Sequence, residues 1–127
     1  MNRIELELER LRTRWPDLEY RPGGQWVRIP SYPLPPGWSR PSIPVVFQVP
    51  AGFPGTPPYG IYVSPGLTFN GQSPGTSVPS QPPFEGQWVI ISWTPDDGQW
   101  HATADPASGS NLLNWVVGFS QRFREGA

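Results

Sequence analysis

Apolar residues at the start of the chain recur at helical spacing. Ile4, Leu8, Leu11 and Trp15 are separated by glutamates and arginines, which predicts an amphipathic helix over residues 2–15. Pro16 stops it. The pattern then shortens. Leu18-Glu19-Tyr20 and Gln25-Trp26-Val27-Arg28-Ile29 predict two short strands joined through Pro22-Gly23-Gly24, the second with alternating apolar and polar positions. Residues 30–37 read as a loop, because proline cannot donate to a strand ladder. Residues 43–49 form the clearest strand, with Val45, Phe47 and Val49 on one face, and residues 59–63 form another, with Ile61 and Val63 opposite Tyr62. Residues 64–86 are rich in Pro, Gly, Ser and Gln and predict a long surface loop beside the functional site. Residues 88–93 read as a buried strand that enters a turn over residues 94–98. Ser110 is placed to cap a final helix that runs to about Arg124, with Leu112, Val116, Phe119 and Phe123 on one stripe. The order helix, about four strands, long loop, helix predicts an α+β fold: a single domain over residues 1–127, its antiparallel sheet covered by helices.

Composition narrows the function classes. A chain of 127 residues fits one domain, and seven Trp, six Phe and four Tyr supply its core. The net charge of −1 leaves no basic stripe for a phosphate backbone, so nucleic acid is not an expected partner. The longest apolar runs are four or five residues, and the charged N-terminus lacks the apolar stretch of a signal peptide, so no membrane association is expected and a cytoplasmic setting is. The chain has no cysteine, which removes disulfides, thiolate metal sites and a cysteine nucleophile. With one histidine there is no metal-ligand spacing, and no glycine pattern of a phosphate loop or hydrolase elbow occurs, so no cofactor or metal is expected.

The residues that carry a resemblance are ordered from Val45 to Trp100. Val45-Val46-Phe47-Gln48-Val49-Pro50 is followed by Gly52-Phe53-Pro54-Gly55-Thr56-Pro57-Pro58, then by a strand, Ser64-Pro65-Gly66, and Ser92 eight residues before Trp100. This order resembles the ubiquitin-conjugating enzymes, most of all their divergent bacterial branch. The resemblance spans roughly residues 2–124 and lies in the order of signals rather than in identity. It implies an N-terminal helix, a four-stranded antiparallel meander, a long active-site segment and a central helix. It also implies two partners, a ubiquitin-like modifier and its activating enzyme. Two departures stand out: Ser92 occupies the position of the family's catalytic cysteine, and Ser64-Pro65-Gly66 lacks the asparagine of the family's His-Pro-Asn tripeptide.

A conjugating enzyme carries the modifier's C-terminal carbonyl as an ester and passes it to an amine. A thiolate does this readily, whereas a serine hydroxyl needs a base or a strongly activated donor. Ser92 is the candidate acyl acceptor, giving an oxyester. His101, the sole histidine, is the candidate base, with a packing or surface role as the alternative. Asp96 and Asp97 are candidates for orienting the incoming amine, or a plain turn. Asn70 is the loop candidate for an oxyanion donor. Arg3, Arg10 and Arg14 on the first helix are candidates for docking the activating enzyme, or a solvated face. A second reading is a catalytically inactive variant that scaffolds the modifier or the activating enzyme. A third is a peptide-binding module in which exposed Trp38, Tyr59 and Trp93 line a groove.

Overall fold

The computed structural model describes residues 3–53, 55–56, 58, 60–71, 77–79, 81–91, 101–103 and 109–124. Helix α1 (Arg3–Arg14) leads into β1 (Glu19–Arg21), β2 (Trp26–Pro33), β3 (Ser42–Gln48) and β4 (Ile61–Val63); β5 (Ser77–Pro79), β6 (Val89–Ile91) and helix α2 (Leu112–Arg124) follow. The architecture is α+β, as the hydrophobic pattern predicts. The strands form one sheet in the order β1-β2-β3-β4-β6-β5, with every neighbouring pair antiparallel. The sheet therefore has six strands among the described residues rather than four. A strand lies inside the stretch expected to be a long loop: β5 pairs with β6 through Ser77–Ile91, Val78–Ile90 and Pro79–Val89.

The first four strands form a meander whose side chains alternate. Val27 opposite Phe47 and Ile29 opposite Val45 face the helices, while Trp26 opposite Gln48 and Arg28 opposite Val46 face away. Strand β2 does not stop at Pro30, as the sequence suggests. Pairing resumes at Tyr32–Ile43 after Ile29–Val45, so β2 carries one extra residue at Pro30-Ser31. This bulge accommodates a proline that has no ladder donor, and it shifts the alternation so that Tyr32 rather than Ser31 turns inward. The tight β1–β2 connection closes with the Gln25 amide donating to the Pro22 carbonyl, and Gly24 sits there at φ 84°, a conformation that glycine adopts without a Cβ penalty.

The inner face of the sheet, α1 and α2 enclose the main core. Its densest part is aromatic. Trp115 meets Phe47 and Phe119 edge-on at 4.8 and 4.6 Å between ring centroids, and Tyr32 packs on Phe119 and Phe123 at 5.5 and 5.9 Å. Trp15 stacks on Tyr32 at 5.7 Å, closing the core where α1 ends. The outer face carries a smaller cluster of Val46, Phe84 and Trp88, flanked by Trp26 and Tyr62. Phe84 and Trp88 come from the connection between β5 and β6, which folds back over the sheet. Gln81 Nε2 donates to the carbonyls of Pro82, Phe84 and Gly86, holding that connection in a compact turn. Arg21 reaches across from the far edge strand, donates to the Pro83 carbonyl and lies over the Phe84 ring, 4.2 Å from its centroid. Beside α1, the Tyr20 phenol is pushed above its ordinary pKa, first by partial burial and then by the Glu5 carboxylate.

Both ends of α2 are satisfied by side chains from elsewhere in the fold. At its start, Asn111 is buried and its Oδ1 accepts the Asn114 amide at 2.8 Å, so Asn111 is the N-cap and Ser110 is not. The Leu112 amide donates to Glu7 Oε1 on α1 at 2.5 Å. Glu7 is only 1% exposed, and its other oxygen pairs with Arg3. At the far end, the Phe123 carbonyl accepts the Trp38 indole at 2.9 Å, and along the helix the Tyr32 hydroxyl donates to the Val116 carbonyl at 2.7 Å. Trp38 is consequently buried, not exposed as a groove-lining role requires. Removing Glu7 strands an amide and a guanidinium. Glu7→Ala is expected to lower unfolding stability by about 3 kcal/mol in urea titration, and Glu7→Gln, which keeps an acceptor for Leu112, by about 1–2 kcal/mol.

Candidate functional site

Ser92, Asp96 and Asp97 lie outside the described residues, as do Tyr59, Trp93 and Trp100. Their chain neighbours are described. Ile91, immediately before Ser92, is fully buried at the end of β6 and pairs with Ile61 of β4 and Ser77 of β5. On the far side of that stretch is His101.

His101 is exposed and belongs to a short hairpin that feeds α2. Its amide donates to Ser110 Oγ at 2.8 Å, and its carbonyl accepts the Ser110 amide at 2.9 Å. Ala102 and Gly109 form a bridge between the two arms. Ser110 thus closes the hairpin instead of capping the helix. Gly109 has φ 66°, and a Cβ there would lie 2.5 Å from the His101 carbonyl oxygen, so the arms approach this closely only because the residue is glycine.

Asn70 sits elsewhere. Its amide donates to the Gly37 carbonyl at 2.7 Å, its φ is 50°, and the adjacent bridge Trp38–Phe69 joins the two loops. Asparagine tolerates this left-handed backbone, which accounts for the residue as a turn former. The loop pair is fastened to the C-terminal end of α2 by the Trp38 indole bond to Phe123, whereas the hairpin of His101 adjoins the N-terminal end at Leu112. With a rise of 1.5 Å per residue, roughly 16 Å of helix axis separates the two anchor points. Asn70 and His101 thus belong to segments tied to opposite ends of α2.

The three arginines of α1 differ in environment. Arg3 is turned inward: its side chain is 17% exposed, its Nε pairs with Glu7 Oε2, and its Nη1 donates to the Thr103 carbonyl in the hairpin. Arg10 is half-buried, and its Nε meets no acceptor among the described residues. Arg14 is exposed, with its guanidinium 5.3 Å from the centroid of Trp15. Of the three, only Arg14 presents the exposed charge that all were expected to offer.

The residues that sequence reasoning passed over are Glu7 and Asn111. Glu7 lies among other glutamates in a charged helix. The one available signal is its position beside Leu8 and Leu11, three residues after Ile4, on the rim of the apolar stripe. A shallow depression of about 500 Å³ lies where the β1–β2 turn meets the end of β3, lined by Gly24, Gln25, Gln48, Val49, Pro50 and Ala51. None of these side chains titrates, so the depression has no acid, base or nucleophile to offer. Among the described residues, no group of three or more His, Cys, Asp or Glu is placed to hold a metal ion, and no helix is long and apolar enough to cross a membrane.

No protein-family model, curated protein or solved structure matches the chain.

The hairpin offers a direct check. Gly109→Ala adds a Cβ against the His101 carbonyl and strains a left-handed backbone. It is expected to lower stability by about 1–2 kcal/mol in urea titration, whereas Gly66→Ala, where a Cβ meets open space, costs less.

Proposed function

We propose that this chain is a ubiquitin-conjugating-enzyme-like protein of a bacterial ubiquitin-like modification pathway. It accepts a modifier's C-terminus from an activating enzyme, held as an oxyester on Ser92. The observation that carries this reading is the order of elements: an N-terminal helix, the antiparallel meander β1–β4, a long Pro/Gly-rich connection and a C-terminal helix packed on the inner face of the sheet. Strands β5 and β6 extend the sheet beyond the four strands that the resemblance implies. In the proposed step, the Ser92 hydroxyl attacks the activated carbonyl at the modifier's C-terminus. The carbonyl's bond to its activating group breaks, the Ser92 oxygen–acyl bond forms, and the hydroxyl proton leaves to a base, for which His101 is the candidate. A target amine then displaces the serine oxygen, which takes a proton back.

A second reading is the catalytically inactive scaffold, which binds modifier or activating enzyme without forming a bond. The attachment of the Asn70 loop and the His101 hairpin to opposite ends of α2 favours it, because an oxyanion donor and a base must converge on one carbonyl. The readings part on one experiment. The chain is mixed with the activating enzyme, the modifier and ATP, and its intact mass is measured. The conjugating reading expects an increase by one modifier mass that survives thiol reductant, yields to hydroxylamine and disappears in Ser92→Ala. A complex with no covalent adduct identifies the scaffold.

A further inference from the structure

The indole of Trp26 carries a donor that the fold leaves unused. Trp88, on the same outer face of the sheet, donates its Nε1 to the Glu85 carbonyl. Trp26 is half-buried and stands edge-on to Tyr62 at 5.4 Å, and its Nε1 meets no acceptor among the described residues. That edge of the ring points at the β1–β2 turn: a Cβ on Gly24 would lie 2.8 Å from Trp26 Nε1 and 3.7 Å from Gln48 Nε2. The indole N–H and the Gln48 amide therefore flank one bare glycine, at the rim of the depression between this turn and the end of β3. Its volume of about 500 Å³ is that of a small ligand site, and none of its lining residues is charged.

The backbone acceptors around the depression are already taken. The Gly24 carbonyl receives Gln48 Nε2, the Gln25 carbonyl receives the Val49 amide, and the Pro50 carbonyl receives the Phe53 amide. What remains is the indole N–H and the side-chain amides of Gln25 and Gln48, beside the apolar surface of Val49, Pro50 and Ala51. A partner that brings carbonyls but no N–H groups suits such a rim, because it leaves no donor of its own stranded. A run of prolines is that partner, and its backbone is already extended before it binds. The same face holds such a segment from this chain: Phe84, which follows Pro82-Pro83, packs with Val46 beside Trp26 and Tyr62, and the Pro83 carbonyl accepts Arg21. Gln25 points the same way. Its φ is 59°, a left-handed backbone that glycine adopts more readily, so the turn itself does not favour a glutamine there. Residues held in such conformations concentrate at ligand sites.

We propose that this depression, with Trp26 at its rim, binds an uncharged proline-rich segment of another protein in the polyproline II conformation. A proline ring rests on the apolar surface, and a carbonyl of the segment accepts the Trp26 indole N–H. The site lies on the face of the sheet turned away from α2 and does not depend on Ser92 or on the conjugating-enzyme reading.

Titration of the full chain with acetyl-hexaproline amide, followed by nuclear magnetic resonance, tests it. Neither modifier nor activating enzyme is present, so the outcome is separate from that of the adduct assay. At about 1 mM peptide, the signals of the Trp26 indole and of the Gln25 and Gln48 side-chain amides are expected to move and to saturate. Trp26→Phe keeps an aromatic ring, loses the donor, and is expected to weaken binding about tenfold. Gln25→Gly relaxes the left-handed backbone. It is expected to keep or raise the urea midpoint yet weaken binding about threefold, which separates lost binding from lost folding. Hexaproline that leaves all three signals in place overturns the proposal. So does equal binding by Trp26→Phe, an equal response to a blocked hexapeptide of glycine and serine, or a response to cellohexaose alone, which makes the depression a sugar site.

Discussion

Helix α2 is buried along one side, and a buried helix must satisfy the backbone groups at its ends from outside itself. The rest of the structure is arranged around this demand. Glu7, from the other end of the chain, takes the first amide, and Asn111 takes the third. The Trp38 indole, from the loop after β2, takes a carbonyl in the last turn. The negative carboxylate also lies at the positive end of the helix dipole, where a charge of that sign is stabilising. Two distant segments, α1 and the loop after β2, are thereby fixed to one helix, and the aromatic packing of Trp115, Phe119 and Phe123 on Phe47 and Tyr32 fills the space between.

The same demand bears on function. The two ends of α2 organise different neighbourhoods: the hairpin with His101 at the start, and the loops with Asn70 and Trp38 at the finish. A reaction centre that draws on both is not built by this helix.

Where a single period dominates, the sequence discloses the fold. The stripe Ile4, Leu8, Leu11 and Trp15 marks α1, the alternation around Val45 and Phe47 marks β3, and Leu112, Val116, Phe119 and Phe123 mark α2. Its silence has physical causes elsewhere. Strand β5 is three residues long within a Pro/Ser-rich stretch and exists by pairing with β6, a contact that local composition does not encode. Strand β2 crosses Pro30 because a bulge absorbs the missing donor, which depends on the partner strand. Ser110 and Asn111 are both good caps by type, and the hairpin takes the serine, leaving the cap to asparagine. Glu7 is indistinguishable from a solvated glutamate until α2 is brought against it. For the site, the residue types and their order were legible, but the spatial grouping was not: the loop of Asn70 and the hairpin of His101 are fastened to opposite ends of α2, which residue order does not encode.

The bond between Glu7 and the start of α2 is where the dependence of the fold on helix-end satisfaction is most directly measured. In an isotope-labelled sample, a through-hydrogen-bond coupling between the Leu112 amide nitrogen and the Glu7 side-chain carboxyl carbon reports that bond alone. The coupling is expected in the unaltered chain, with slow exchange of the Leu112 amide. A Leu112 amide with no such coupling and rapid exchange contradicts that dependence.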